Sequence, residues 1–235
     1  IYDFELNASV SGNPALKRTK ISNFDIRYEL YPSAGEVFTA GVFYKNFENP
    51  IESVFQEGTG GSSVFYYQNV SQATAFGFEI EGRKKISRRF TLQANGSIIK
   101  SEINDPLINI IRPLQGQSPY LINTGLLYDV VEKGFNATLL FNQVGRRIYI
   151  VGDIQASAGS PDVYENPRAL VDFQMSKKFA DNKAEIRFVI TDLLNQRQIF
   201  YQNNTTSTSY NKIEDATRFS RQFGTTFGIT FNYSL

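Results

Sequence analysis

The chain contains no cysteine and no histidine among its 235 residues. The first absence removes disulfides, thiolate nucleophiles and cysteine metal sites, and leaves the redox compartment unreadable. The second removes the commonest general base and the commonest transition-metal ligand. An excess of charge is also missing: 24 basic and 23 acidic residues give a net charge of +1, so no electrostatic case exists for a nucleic-acid partner. No run of about 18 apolar residues occurs, which excludes a transmembrane helix but not a transmembrane barrel, whose alternating strands average towards zero hydropathy. The chain opens on Ile1 with no initiator Met or signal peptide, and reads as a piece of a longer or processed product.

What is abundant is aromatic: 20 Phe and 13 Tyr, punctuated by 17 Gly. Aromatics favour strands, and here they alternate. "FGTTFGITFNYSL" puts Phe223, Thr225, Phe227, Ile229, Phe231, Tyr233 and Leu235 on one face, and Gly224, Thr226, Gly228, Thr230, Asn232 and Ser234 on the other. "NFDIRYEL" sets Phe24, Ile26, Tyr28 and Leu30 against Asp25, Arg27 and Glu29; "FGFEIEG" sets Phe76, Phe78 and Ile80 against Gly77, Glu79 and Glu81. The stretches from Phe90, Phe135 and Ala184 repeat the pattern, with Phe188 on the apolar face and Gln93, Glu185 and Arg187 on the polar one. Period-two alternation means that the two faces of each strand meet different media.

The pattern predicts nine strands, over about 20–31, 36–48, 65–82, 89–103, 119–129, 134–151, 169–179, 183–202 and 218–235. Several exceed the usual soluble strand of about 5–6 residues. The connections alternate strictly between short turns ("YPSAGE", "RKKISRR", "DVVEKG", "ADNKAE") and long segments at 49–64, 104–118, 152–168 and 203–217. This predicts an all-β, antiparallel, up-and-down transmembrane barrel segment, with short periplasmic turns and long extracellular loops. Phe76, Phe78, Phe90, Phe135, Phe188, Phe227 and Phe231 then face outer-membrane lipid. Asp25, Arg27, Glu29, Glu79, Glu81, Gln93, Glu185 and Arg187 face the lumen. Tyr31, Tyr44, Tyr128, Tyr201 and Tyr233 fit interfacial girdles better than a carbohydrate platform. An odd strand count cannot close a bacterial barrel with both ends in the periplasm, so residues 1–19 read as the end of an extracellular loop.

"GNPALKRTKISNFDIRYELYPSAGEVFTAGVFYKNFENPIE", "ATAFGFEIEGRKKI", "RPLQGQSPYLINTGLLYD", "NQVGRRIYIVG", "YENPRALVDFQMSKKF" and "VITDLLNQRQIFYQ" together resemble the C-terminal barrel of TonB-dependent outer-membrane receptors of the Bacteroidota type, nearly end to end and in the same order. The resemblance implies a 22-stranded barrel in a Gram-negative outer membrane, of which residues 1–235 supply about the last nine strands. It implies as partners an internal plug domain, the upstream barrel strands and TonB engaged through an N-terminal region; a surface lipoprotein is the partner expected in a scaffold reading. It implies energised uptake of a substrate the sequence does not name; enzyme activity has no motif behind it, and no cofactor is expected. A receptor-like scaffold without transport and a soluble β-sandwich binding module are the competing classes. Phe231, Tyr233 and Leu235 stand where the barrel-assembly signal ends, with Leu235 in place of the usual aromatic.

Other motifs are weaker. "GTGGSS" (58–63) lacks the spacing and the Lys of a phosphate loop and reads as a plain loop. Asp105, Asp162 and Glu165 lack the ligand spacing of a calcium loop, and capping or solvated roles are preferred. Glu79 and Glu81 share a face, as a catalytic pair would, but a wet lumen gives the same pattern. "GRRIYIVG" places Arg146, Arg147 and Tyr149 at the outer rim, the only substrate-contact candidates; rim arginines also snorkel or pair. "RPLQGQSPY" reads as a loop-shaping element rather than a ligand contact.

Overall fold

The computed structural model describes residues 2–3, 8–57, 63–105, 110–152, 161–204 and 208–234. Nine strands form one antiparallel meander in chain order: β1 (Lys20–Leu30), β2 (Val37–Glu48), β3 (Gln72–Lys85), β4 (Phe90–Asp105), β5 (Tyr120–Val130), β6 (Phe135–Val144), β7 (Arg168–Phe179), β8 (Ala184–Thr191) and β9 (Thr226–Tyr233). Among the described residues, β1 pairs only with β2 and β9 only with β8, so the sheet is an open arc with two free edges.

The register keeps the two faces apart without a slip across all nine strands. Ile26, Val42, Phe78, Ile98 and Tyr120 form one cross-strand row. Tyr128, Ala137, Met175, Phe188 and Ile229 form another on the same face. All seven phenylalanines expected to face lipid share it. All eight residues expected in the lumen share the other face, where the row Glu29, Thr39, Glu81, Asn95, Asn123, Asn142 runs across six strands. The apolar face is bare: Ile26 is 76% and Phe227 69% exposed. A continuous exposed apolar surface of this extent argues against a water-soluble sandwich.

One place on the polar face needs glycine. A Cβ on Gly77 would lie 2.4 Å from the ring of Phe43, its cross-strand partner, and 3.1 Å from the Ile98 carbonyl. Phe43 therefore lies across the space that a side chain would fill. Gly77→Val is expected to destabilise the folded wall by about 1–3 kcal/mol, the usual cost of overpacking. Most of that cost should vanish in a Phe43→Ala background, as measured by urea titration in lipid vesicles.

The sequence reading overran four strands. The expected strands 65–82, 134–151, 183–202 and 218–235 each divide into a wall strand and a shorter strand beyond it: Ser63–Asn69, Arg147–Ile150, Gln198–Gln202 and Ala216–Arg221. Three of the four breaks have backbone causes, with positive φ at Asn49 opposite the first, at Asp192 and Asn195 in the third, and at Gly224 in the fourth. The long connections are likewise not plain loops. Residues 51–57, 110–112 and 163–165 are strands, and the expected loop 1–19 contains Ala8–Ser11, which pairs in parallel with Ser63–Asn69. Beyond the wall stand two four-stranded sheets, one of Tyr2–Asp3, Ala8–Ser11, Ser63–Asn69 and Ile51–Glu57, the other of Arg147–Ile150, Val163–Glu165, Gln198–Gln202 and Ala216–Arg221. They share a buried cluster of Ala8, Phe55, Phe65, Ile150, Val163 and Phe200.

Candidate functional site

The end of the wall that carries the long connections is built around "RPLQGQSP". The two outer sheets meet edge to edge through a parallel bridge between Val54 and Val151, closed by Phe55 N–H to the Val151 carbonyl at 2.9 Å. Gln115 completes the joint. Its Oε1 accepts from Ser53 N–H at 2.7 Å, and its Nε2 donates to the Ser53 carbonyl at 3.2 Å and the Tyr149 carbonyl at 2.7 Å. Gly116 N–H donates to the Ile148 carbonyl at 2.8 Å, and its φ of +77° makes the turn a glycine position. Arg112 is forked onto Glu52, with Nη1 to Oε1 at 2.9 Å and Nη2 against Oε2. Glu52 is 1% exposed. The loop-shaping role expected of this motif is what the geometry shows. What the sequence hid is its target, because Glu52 and Ser53 lie about sixty positions upstream.

Next to this joint, Asp162 caps the chain: its Oδ1 accepts from Gly152 N–H at 2.8 Å. Burial pushes the Asp162 carboxyl above its ordinary value, against the opposing pull of that hydrogen bond and of Arg112. A raised native pKa means that the folded state holds its proton where the unfolded chain has released it. Stability from this group is therefore present below the ordinary Asp value of about 4 and declines as pH rises through the raised native value. Asp162→Asn, which keeps the acceptor for Gly152, should flatten this pH dependence without destabilising the outer sheets at pH 7. Amide exchange of residues 147–152 between pH 4 and 7 measures it.

The rim candidates separate. Arg147 pairs with Glu165 at 2.7 Å, and Glu165 also accepts from Gln198 at 2.6 Å, so both are committed to structure. Tyr149 packs its ring on Phe200 and Phe219, with centroids at 4.4 and 5.9 Å, and joins the apolar cluster rather than presenting itself to a ligand. Tyr201, expected in a girdle, is fully buried against Tyr164 and Tyr210 in the outer sheet. Both lie on short strands beyond the wall, which a reading of 134–151 and 183–202 as single wall strands could not reveal. Arg146 differs: its guanidinium lies 3.6 Å from the Tyr164 ring centroid, and Nη1 donates to the Thr208 carbonyl at 2.9 Å. It borders a cleft of about 780 Å³ whose walls include Ile99, Ser101, Pro113, Gln117 and Ile148.

On the polar face of the wall, Arg27 bridges Glu29 at 2.9 Å and Glu81 at 3.7 Å, and Arg187 meets Glu185 at 3.4 Å. Asn142 donates to Asn123, which donates to Asn95 at 2.7 Å. Glu79 and Glu81 border a shallow recess of about 250 Å³ together with Arg27 and Ser97. The pairing of Glu81 with Arg27 fits a hydrated wall. The loop reading of 58–62 and the assembly role of Leu235 concern residues outside those described, as does the side chain of Asp105.

An open, nine-stranded meander with one bare apolar face has close relatives in shape. The outer membrane protein beta-barrel family model matches residues 5–233. The chain belongs to that family. No curated protein sequence matches it. Among solved structures, the ferric enterobactin receptor of Pseudomonas aeruginosa aligns over 96% of the chain at 15% identity and a TM-score of 0.61, using 32% of its own length. The copper transporter OprC aligns over 99% at 15% identity and a TM-score of 0.66, using 35% of its length. The ferric yersiniabactin uptake receptor of Yersinia pestis aligns over 92% at 16% identity and a TM-score of 0.61, using 30%. At these identities the likeness is one of fold, that of TonB-dependent receptor barrels. The chain spans about a third of these structures, and as a family member it is an outer-membrane barrel segment of a Gram-negative cell.

Proposed function

We propose that residues 1–235 are the last nine strands of an energised uptake receptor. The observation that supports this best is the unbroken register, which carries one apolar and one polar face through nine strands. In hydrocarbon every backbone polar group must be paired, so an open edge there costs several kcal/mol per group. The free edges of β1 and β9 therefore take strands from the rest of a larger barrel, 22 in all. The apolar face, with Phe76, Phe78, Phe90, Phe135, Phe188, Phe227 and Phe231, meets lipid. The polar face lines a lumen that holds a plug domain, which TonB pulls to open a path. Tyr233 and Phe231 belong to the assembly signal. The two outer sheets form part of the extracellular vestibule, against which a surface lipoprotein docks.

The sidedness is checked by single cysteines in the full-length protein. Ile213→Cys, at a residue 93% exposed on the long-connection side, should react on intact cells with an impermeant maleimide, and Asn182→Cys in a short turn should not. The opposite result reverses the topology. Transport is checked separately, by metabolite depletion from rich medium in wild-type, receptor-deleted and TonB-deleted strains. A compound consumed only by the wild type is expected; equal depletion in all three removes the uptake reading and leaves the barrel.

A further inference from the structure

We infer that the cleft beside Arg146 binds a small organic anion with a flat apolar body. The first argument is charge. Of the cations bordering the cleft, Arg112 is forked onto Glu52, Arg147 is paired with Glu165, and Lys100 faces Glu102 at 4.0 Å. Arg146 has no carboxylate within pairing distance among the described residues. Its Nε is buried with no hydrogen-bond partner among the described residues. The guanidinium is nevertheless held in place, over the Tyr164 ring, 5.7 Å from the centroid of Tyr201 and tied to the Thr208 carbonyl. A planar fork immobilised on an aromatic face is arranged to receive a carboxylate or another planar oxyanion with little further ordering.

The second argument is the lining. Ile99, Pro113, Pro119, Ile148 and Tyr164 make most of the wall apolar, while Ser101, Gln117, Thr208, Ser209 and the Lys100–Glu102 pair, in which Lys100 offsets the one acidic side chain on the cleft, supply the remaining polar groups. The volume of about 780 Å³ lies in the range of small-molecule sites, and such a mixture of apolar wall and few oriented polar groups is their usual composition. A fully hydrated inorganic ion would gain nothing from these walls, and a neutral apolar molecule would leave the guanidinium unmatched. The inference rests on the reading of this end of the barrel as the outer vestibule, and it names the class of ligand admitted there.

The test uses the full-length receptor in detergent and the fluorescence anisotropy of naphthalene-2-carboxylate, with empty micelles as reference. Saturable binding is expected, with the neutral 2-naphthalenemethanol at least tenfold weaker. Arg146→Gln should lower affinity at least tenfold and Arg146→Lys less, while Arg88→Gln, in the exposed short turn between β3 and β4, should change it under twofold. Ile111→Trp, at the cleft border, 69% exposed and apart from the Arg146 contacts with Tyr164 and Thr208, should also block binding, which guards against misfolding of the Arg146 variants. Equal binding of the neutral analogue, unchanged binding in Arg146→Gln, or displacement by inorganic phosphate at equal concentration would overturn the proposal. Loss of naphthoate binding with TonB-dependent depletion intact removes this site alone; binding without depletion removes the uptake reading and keeps the site.

Discussion

Phe78→Arg should destabilise the membrane-inserted barrel by about 2–4 kcal/mol, the cost of a basic side chain on the lipid face near the bilayer midplane. Phe78 sits mid-strand on β3, between Val42 of β2 and Ile98 of β4, so its row is apolar on both sides. The inner-face comparison is Ser97→Arg. Ser97 stands directly opposite Glu79 on the polar face, where an added cation gains a cross-strand partner of opposite charge. That variant should stay within about 1 kcal/mol of the parent. Urea titration of the full-length protein folded into vesicles measures both. Equal losses on the two faces would remove the assignment of lipid and lumen, and with it the barrel.

Arg112→Met should have an effect of similar size in a different place. Glu52 is left buried with its forked cation gone, and an unpaired buried charge costs about 3–5 kcal/mol. The double variant Arg112→Met with Glu52→Gln should recover most of that loss, because it removes the stranded charge along with its partner. The damage should be local. Amides of residues 51–57 and 147–151, which meet at the Val54–Val151 bridge, should lose hydrogen-exchange protection while β3 and β4 keep theirs. A double variant as damaged as the single one would mean that the pair acts through shape rather than charge. Loss of protection throughout the wall would mean that the outer sheets and the wall fold as one unit.

Alternation is a local property, and the wall was legible for that reason. Side chains two apart share a face whatever lies beyond them, so Phe76, Phe78 and Ile80 declared one surface and Glu79 and Glu81 the other before any partner strand was known. The same logic made the strand count correct, since each short turn carries its own Gly, Asn, Asp or run of charge. It failed at the upper ends of four strands. Beyond Gly145, Asp192 and Gly224 the aromatic-rich pattern continues, but the chain has left the wall for an outer sheet. The change comes from a few backbone angles, such as φ +53° at Asp192 and +84° at Gly224, which periodicity does not register. Tyr149 and Tyr201 were misread on that account.

The sequence by itself thus determined that this chain makes strands, how many cross the wall, and which side chains share a face, because those properties depend on neighbours two residues away. Tertiary structure alone decided what stands above the wall. Gln115 reaching Ser53, Arg112 reaching Glu52, and Arg146 lying on Tyr164 join residues about 62, 60 and 18 positions apart. No local pattern encodes such pairings; they form when loop segments pack, and a buried donor or charge must find its partner wherever the fold has put it.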